Sequence, residues 1–216
     1  MPYQDQIELP TSSSTTRGNP TSPFDWHFGL PTLRAHNVTL REVRDSDAAA
    51  LLAMLSSDEV AEFVSPLPRT VEGFRGFIRE VRDDRVMGHS FCYGVIPEGY
   101  DDAMGLFQVR QLEPGFGSAE WGFALGSPFW GSGVFQEGAG AIIDFAFGVV
   151  GVHRLEARSI AANGRGNAAL RKMGAMQEGL LRRAFLRNGR YYDQILWSIL
   201  KEDWRHAKAV CGPKFH

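Results

Sequence analysis

Cysteine is scarce in this chain of 216 residues. Cys92 and Cys211 stand far apart and form no CxxC pair. A structural disulfide is therefore not expected, and the sequence suits a reducing cytoplasm. An excess of one charge is lacking as well. A net charge of −2, from 23 basic and 25 acidic residues, leaves no footprint for DNA, RNA or an anionic membrane as the main partner. No apolar run approaches the ~20 residues of a membrane span. The opening MPYQDQIELP has no basic segment leading into an apolar one, so it does not read as a secretory signal. The six histidines show no metal-ligand spacing, and no metal is expected. No serine sits in the context of a nucleophile elbow.

What is present suits one folded domain with tails. An apolar fraction of 44% is enough for a packed core. Residues 10–23, PTSSSTTRGNPTSP, are poor in apolar groups, and 1–23 reads as a flexible tail. FDWHFGLP (24–31) differs, and its aromatics Phe24, Trp26 and Phe28 are expected to pack residues 24–37 onto the domain. The domain itself is placed at 38–206, with 207–216 as a C-terminal tail.

Within it, strand and helix signals alternate. VTLREV (38–43) is a strand and SDAAALLAML (46–55) a helix, with Asp45 or Ser46 as its cap. A second helix is predicted over 69–88, starting at Thr70. Strands follow at 89–97, 103–112 and 118–126. The long segment 134–151 places Phe135, Ala139, Ile142, Ile143, Ala146 and Val150 on one helical face. A strand at 153–160, a short helix at 167–174 and two β-rich runs joined at Asn188-Gly189 complete the chain. The order is that of a mixed α+β sheet with helices on both faces, not a doubly wound parallel sheet.

The segment SPFWGSGVFQEG (127–138) raises the functional question. Two glycines, one residue apart, precede a helix that follows directly on a strand. A helix N-terminus offers unpaired N–H groups and the positive end of the macrodipole. Glycine lets backbone approach a phosphate. An anion cradle and a plain strand-to-helix turn both fit. A Walker loop does not, since no Lys follows the second glycine. A dinucleotide fingerprint fails because Gln136 stands at its third glycine.

The segment resembles the pyrophosphate-binding loop of the GNAT superfamily of acyl-CoA-dependent N-acetyltransferases. AEWGFALGSPFWGSGVFQEG is similar to that family's fourth strand, loop and following helix. HRLEARSIAANGRGNAALRKMGA resembles its fifth strand, Asn-bearing turn and next helix. EGLLRRAFLRNGRYYDQILWSILKEDW resembles the C-terminal hairpin of the RimJ/RimL branch, the ribosomal-protein N-terminal acetyltransferases, and VTLREVRDSDAAAL resembles the opening seen across the superfamily. The resemblance spans about 38–204. It implies a mixed, mostly antiparallel sheet, acetyl-CoA as co-substrate and an amine acceptor, either a peptide N-terminus or a small molecule. A homodimer is compatible with it. It also implies a cofactor site at Phe123, Ala124, Leu125, Trp130, Gly131, Ser132, Gly133, Val134, Phe135 and Gln136, with Asn163 and, more weakly, Asn167 near the pantetheine arm. Three departures stand out. Pro128 replaces the loop's usual Gln or Arg, Leu170 replaces the Tyr that protonates the thiolate, and Gly166 replaces the branch's Ser.

Acetyl transfer to an amine needs a group to take a proton, because α-amines and lysines are largely protonated at neutral pH. On a period of two, Glu120, Gly122 and Ala124 share one face of their strand, and Ala119, Trp121, Phe123 and Leu125 the other. Glu120 beside two small residues has room for a ligand above it, and several GNAT relatives carry a general base here. A salt bridge to an arginine at the sheet edge is the alternative. Asn163 and Asn167 equally suit helix capping. Arg182, Arg183, Arg187 and Arg190 form either a solvated face or a contact to a phosphate or an acidic substrate. The enzyme reading has two rivals, a CoA-binding sensor without catalysis and a nucleotide-binding module.

Overall fold

The structure, a computed structural model, describes residues 25–64 and 67–211. The tail expected over 1–23, and Phe24, lie outside the described residues.

One eight-stranded sheet organises the chain, in the order β1-β2-β3-β4-β5-β6-β8-β7. Its strands are β1 (Leu33–Arg34), β2 (Val38–Glu42), β3 (Ser90–Pro97), β4 (Gly105–Gln111), β5 (Ser118–Leu125), β6 (Arg154–Ile160), β7 (Met176–Arg187) and β8 (Arg190–Leu200). All neighbours pair antiparallel except β5 and β6, which are parallel. The helices are α1 (Ala48–Leu55), α2 (Asp58–Ala61), α3 (Val71–Val86), α4 (Val134–Phe145), α5 (Gly164–Lys172) and α6 (Lys201–Cys211). A π-helical turn, Ala146–Val150, extends α4.

The alternation read along the strands divides the core into two layers. Phe91, Tyr93, Phe107, Trp121 and Leu155 pack with Ile142, Ile143 and Phe145 of α4. Cys92, Leu106 and Ala124 point the other way, against Leu51 and Leu55 of α1 and Phe74 and Ile78 of α3. Helices therefore cover both faces. The helix α3 starts where its cap dictates, with Thr70 Oγ1 accepting from the Gly73 N–H at 3.0 Å. In the β7–β8 hairpin, Asn188 (φ 48°) and Gly189 (φ 75°) both take left-handed backbone, as a two-residue turn between twisted strands requires.

Several features differ from the expectation. Trp26 is buried against Phe91 and Phe116 at ring distances of 5.6 and 5.5 Å, but Phe28, at the end of a turn closed by its N–H on the Asp25 carbonyl at 3.2 Å, is 88% exposed. The short elements β1 and α2 carry too few periodic residues to be read, and α6, which follows directly on β8, is not among the predicted elements. The stretch from 207, read as a tail, is helical to Cys211. On α6, Trp204 Nε1 donates to Asp144 of α4 at 2.8 Å, and Lys208 pairs with the same carboxylate. The helix expected at 167–174 begins at Gly164, because Asn163 rather than Asn167 caps it.

Candidate functional site

The parallel neighbours β5 and β6 pair only over Ser118–Glu120 and Arg154–Glu156. Beyond that point β6 continues alongside β8, β5 continues alongside β4, and the two part company. A cleft of about 1310 Å³ opens between them. Each of these strands runs into a helix, so the N-termini of α4 and α5 flank the same opening.

The α4 end is built by glycine. Gly131 (φ 79°) and Gly133 (φ 91°) lie in left-handed backbone, disfavoured for any side chain with a Cβ. The space beyond both is open among the described residues: nothing lies within 4 Å of a Cβ at Gly131, and at Gly133 only Glu137 Oε1 does, at 3.9 Å. Glu137 is itself held by the Asn37 N–H at 2.7 Å and the Asn37 side-chain amide at 3.2 Å. Among the described residues, the amides of Gly131, Gly133, Phe135 and Gln136 have no hydrogen-bond partner; the Glu137 N–H is the first to close the helix, on the Gly133 carbonyl. These unpaired donors fit a diphosphate. Not every expected residue offers its side chain. Val134 is buried in the core, and the Ser132 hydroxyl donates to the Phe129 carbonyl at 2.7 Å. Both can contribute only backbone. The Trp130 indole donates to the Leu125 carbonyl at 2.9 Å, which ties the loop to the end of β5. Phe135 packs on Phe123 with ring centres 4.6 Å apart and planes tilted by 54°, and both line the cleft with Ala124 and Leu125.

The α5 end depends on a third glycine. Asn163 Oδ1 accepts from the Gly166 N–H at 2.8 Å. A Cβ at residue 166 would sit 2.5 Å from Asn163 Nδ2, so a serine there would force the Asn163 side chain to shift. Asn163 lines the cleft; its backbone N–H donates to the Ile160 carbonyl at 2.9 Å, while its side-chain Nδ2 donors have no partner among the described residues. Asn167 does not line it. It is buried, donates to the carbonyls of Ile160 (3.0 Å) and Ala161 (3.3 Å), and accepts from Trp197 Nε1 at 2.9 Å. Its amide is spent within the fold, which corrects the expectation of a ligand contact.

Glu120 lines the cleft with its side chain 16% exposed. It is also ion-paired. Oε2 accepts from Arg110 Nε at 2.9 Å, with a second guanidinium contact to the same oxygen, and Oε1 accepts from Arg158 at 3.4 Å. The ladder continues across the sheet. Arg158 reaches Glu156 at 3.8 Å. Arg154 donates to Glu156 at 3.0 Å and to Glu178 at 2.8 Å, and Ser198 donates to Glu178 at 2.6 Å. Arg154 and then Ser198 hold the Glu178 carboxyl down to about 2. The sequence offers a salt bridge to an arginine as the alternative for Glu120 but not which arginine; the partners, Arg110 and Arg158, come from β4 and β6, and only strand register brings them there.

Among the described residues, the cleft wall contains no tyrosine, histidine or cysteine, and Ser159 is its one hydroxyl. Leu170 is buried and has no proton to give. Cys92 is buried away from the cleft, and burial pushes its thiol up to about 12. The hairpin arginines divide: Arg187 donates to the Val64 carbonyl, and Arg190 lies 5.1 Å over the Tyr192 ring. Among the described residues no group of three His, Cys, Asp or Glu side chains is placed to hold a metal, and no helix is long and apolar enough to cross a membrane.

Residues 37–176 match the family model of the acetyltransferase (GNAT) domain. The uncharacterized N-acetyltransferase p20 of Bacillus licheniformis is 28% identical over 176 residues, covering 81% of this chain and 99% of that protein. An acetyltransferase structure from T. thermophilus superposes with a TM-score of 0.71 at 26% identity, over 87% of this chain and 99% of the other. Mycobacterium smegmatis RimJ, solved in complex with CoA-disulfide, shares the fold at a TM-score of 0.70 and 24% identity, over 81% and 89%. The chain belongs to the GNAT acetyltransferase family. It is an acetyltransferase, and its structural neighbours include members of the RimJ/RimL branch.

Proposed function

We propose that the protein transfers an acetyl group from acetyl-CoA to a primary amine, on a peptide N-terminus or a small molecule. The observation that supports this most is the parting of β5 and β6 beside an α4 N-terminus whose amides are unpaired. Acetyl-CoA would supply the activated acyl group as a thioester. The amides of Gly131, Gly133, Phe135 and Gln136 would hold its diphosphate. The open edge of β5 over Phe123, Ala124 and Leu125, with the unpaired side-chain N–H groups of Asn163, would orient the pantetheine amides. Glu120 would take the amine proton through Oε1, the oxygen with the weaker guanidinium contact. The C–N bond forms as the C–S bond breaks, and the thiolate takes its proton from water. One observation favours a second reading, a CoA-binding protein without turnover: both Glu120 oxygens already accept from guanidiniums.

Thermal unfolding with CoA tests the shared part of both readings. At CoA one hundred times its Kd, the wild type should gain about 2.7 kcal/mol. Gly133→Val should remove most of that gain, since a β-branched residue is strained at this φ and fills the approach to the amides. The variant's own melting curve shows that it folds. Absence of any gain at millimolar CoA overturns the donor assignment. A mass-spectrometric screen of amine acceptors then separates enzyme from sensor.

A further inference from the structure

The side chain of Arg165 is unexplained by the fold. It sits in the first turn of α5 and is exposed. Its guanidinium carbon lies 3.7 Å over the centre of the Trp130 ring. Among the described residues it has no carboxylate partner, unlike Arg110, Arg154 and Arg158 in the same sheet. Trp130 belongs to the β5–α4 side of the cleft and Arg165 to the β6–α5 side, so the stacked pair spans the opening. The ring beneath is fixed, because its Nε1 is bonded to the Leu125 carbonyl. Trp130 is also the residue immediately before Gly131, the first glycine of the amide cradle.

We propose that Arg165 is a cofactor-positioning residue that pairs with a phosphoryl oxygen of the bound CoA. This rests on the donor reading above. A guanidinium stacked on an aromatic ring keeps its in-plane N–H donors free, and arginine in that posture is suited to grip a phosphate bidentately. Stacking on a ring that is itself anchored lowers the conformational freedom lost on binding. The positive ends of α4 and α5 and the Arg165 charge converge on one opening, and Lys172 adds a further cation to its wall. The carboxylates of that wall, Glu59, Glu62 and Glu120, belong to α2, the turn after it and β5. Glu120 is neutralised by its own arginines. The unpaired donors and the Arg165 charge thus lie together at the glycine end. Diphosphate and ribose 3′-phosphate present the same chemistry, and the ligand series below separates them.

The test is calorimetric titration of wild type, Arg165→Ala and Arg165→Lys with CoA, dephospho-CoA and pantetheine at two salt concentrations. Arg165→Ala should raise the Kd for CoA about tenfold, the loss of one charge-assisted contact, and flatten its salt dependence. Arg165→Lys should fall between. An equal loss for dephospho-CoA assigns the contact to the diphosphate, and a loss confined to CoA assigns it to the 3′-phosphate. Either result supports the proposal, provided pantetheine, which has no phosphate, binds all three proteins alike. If wild type binds CoA and Arg165→Ala binds it equally well, the proposal falls and the donor reading stands. If pantetheine affinity drops as much as CoA affinity, Arg165 shapes the pocket and grips no phosphate, which also overturns it. If wild type binds no CoA, the donor reading fails first.

Discussion

Glu120→Gln should slow acetyl transfer at neutral pH by about 10²–10⁴-fold, equivalent to about 3–5 kcal/mol of barrier. Gln keeps the side-chain shape and an oxygen for Arg110, so the ladder across β4, β5 and β6 survives in part. What is lost is the ability to take a proton. CoA affinity should stay unchanged, since the proposed diphosphate contacts come from residues 131–136. The deficit should shrink as pH rises, because more of the acceptor amine is then already neutral. The measurement is turnover of both proteins with an identified acceptor over a pH series, alongside their melting temperatures. Near-full turnover of the variant at neutral pH would assign Glu120 to the ion-pair ladder alone.

Asp47→Asn should destabilise the fold by about 3–5 kcal/mol, the range for removing one partner of a buried charge pair. Asp47 is fully buried. Its oxygens accept from both Arg41 Nη atoms at 2.7 and 2.8 Å, from the Arg44 N–H at 2.7 Å and from the Ala103 N–H at 3.0 Å. It thereby joins β2 and the start of α1 to the loop before β4. Asn would turn an NH₂ group toward donors and leave the Arg41 guanidinium uncompensated at 12% exposure. Burial works against the Asp47 charge, but the bonds from Arg41, the Arg44 N–H and the Ala103 N–H outweigh it and hold the carboxyl below the usual range. The folded form therefore binds its proton less readily than the unfolded form, whose value is near 3.9. The stabilisation is present above about pH 4 and is lost as pH falls below that. Urea unfolding of both proteins from pH 7 down to pH 3 should show a large gap that narrows at the acid end. A gap under 1 kcal/mol at pH 7 would show that the site relaxes around the amide.

Much of this arrangement was legible because it is local. The Thr70 cap, the Asn188-Gly189 turn and the two-residue alternation in β5 follow from neighbours in sequence. The left-handed backbone at Gly131 and Gly133 and the unpaired amides that follow are local too, since they belong to one helix start. The arginines around Glu120 were not legible, because register across β4 and β6 decides which charges meet. Asn163-Gly164-Arg165-Gly166 reads as a loop on its glycines, and a helix starts there because the Asn163 side chain caps it. Phe28 has the same side chain as many core residues, and only the path of residues 25–31 leaves it in water. The Arg165–Trp130 pair joins residues 35 apart, beyond the reach of any spacing rule.

The gap between β5 and β6 also governs how the amide hydrogens of this sheet trade with solvent. Most mid-sheet amides exchange only when a region opens, and the centre of a domain is ordinarily its slowest part. Here, among the described residues, the β6-facing edge of Trp121–Leu125 has no strand beside it, so its N–H groups stand ready to exchange while the fold around them stays closed. A guest that lays its own amides along this edge takes the place of the missing strand. Deuterium uptake at these few positions should then slow to the pace at which the guest leaves. The sheet is finished only when the gap is filled.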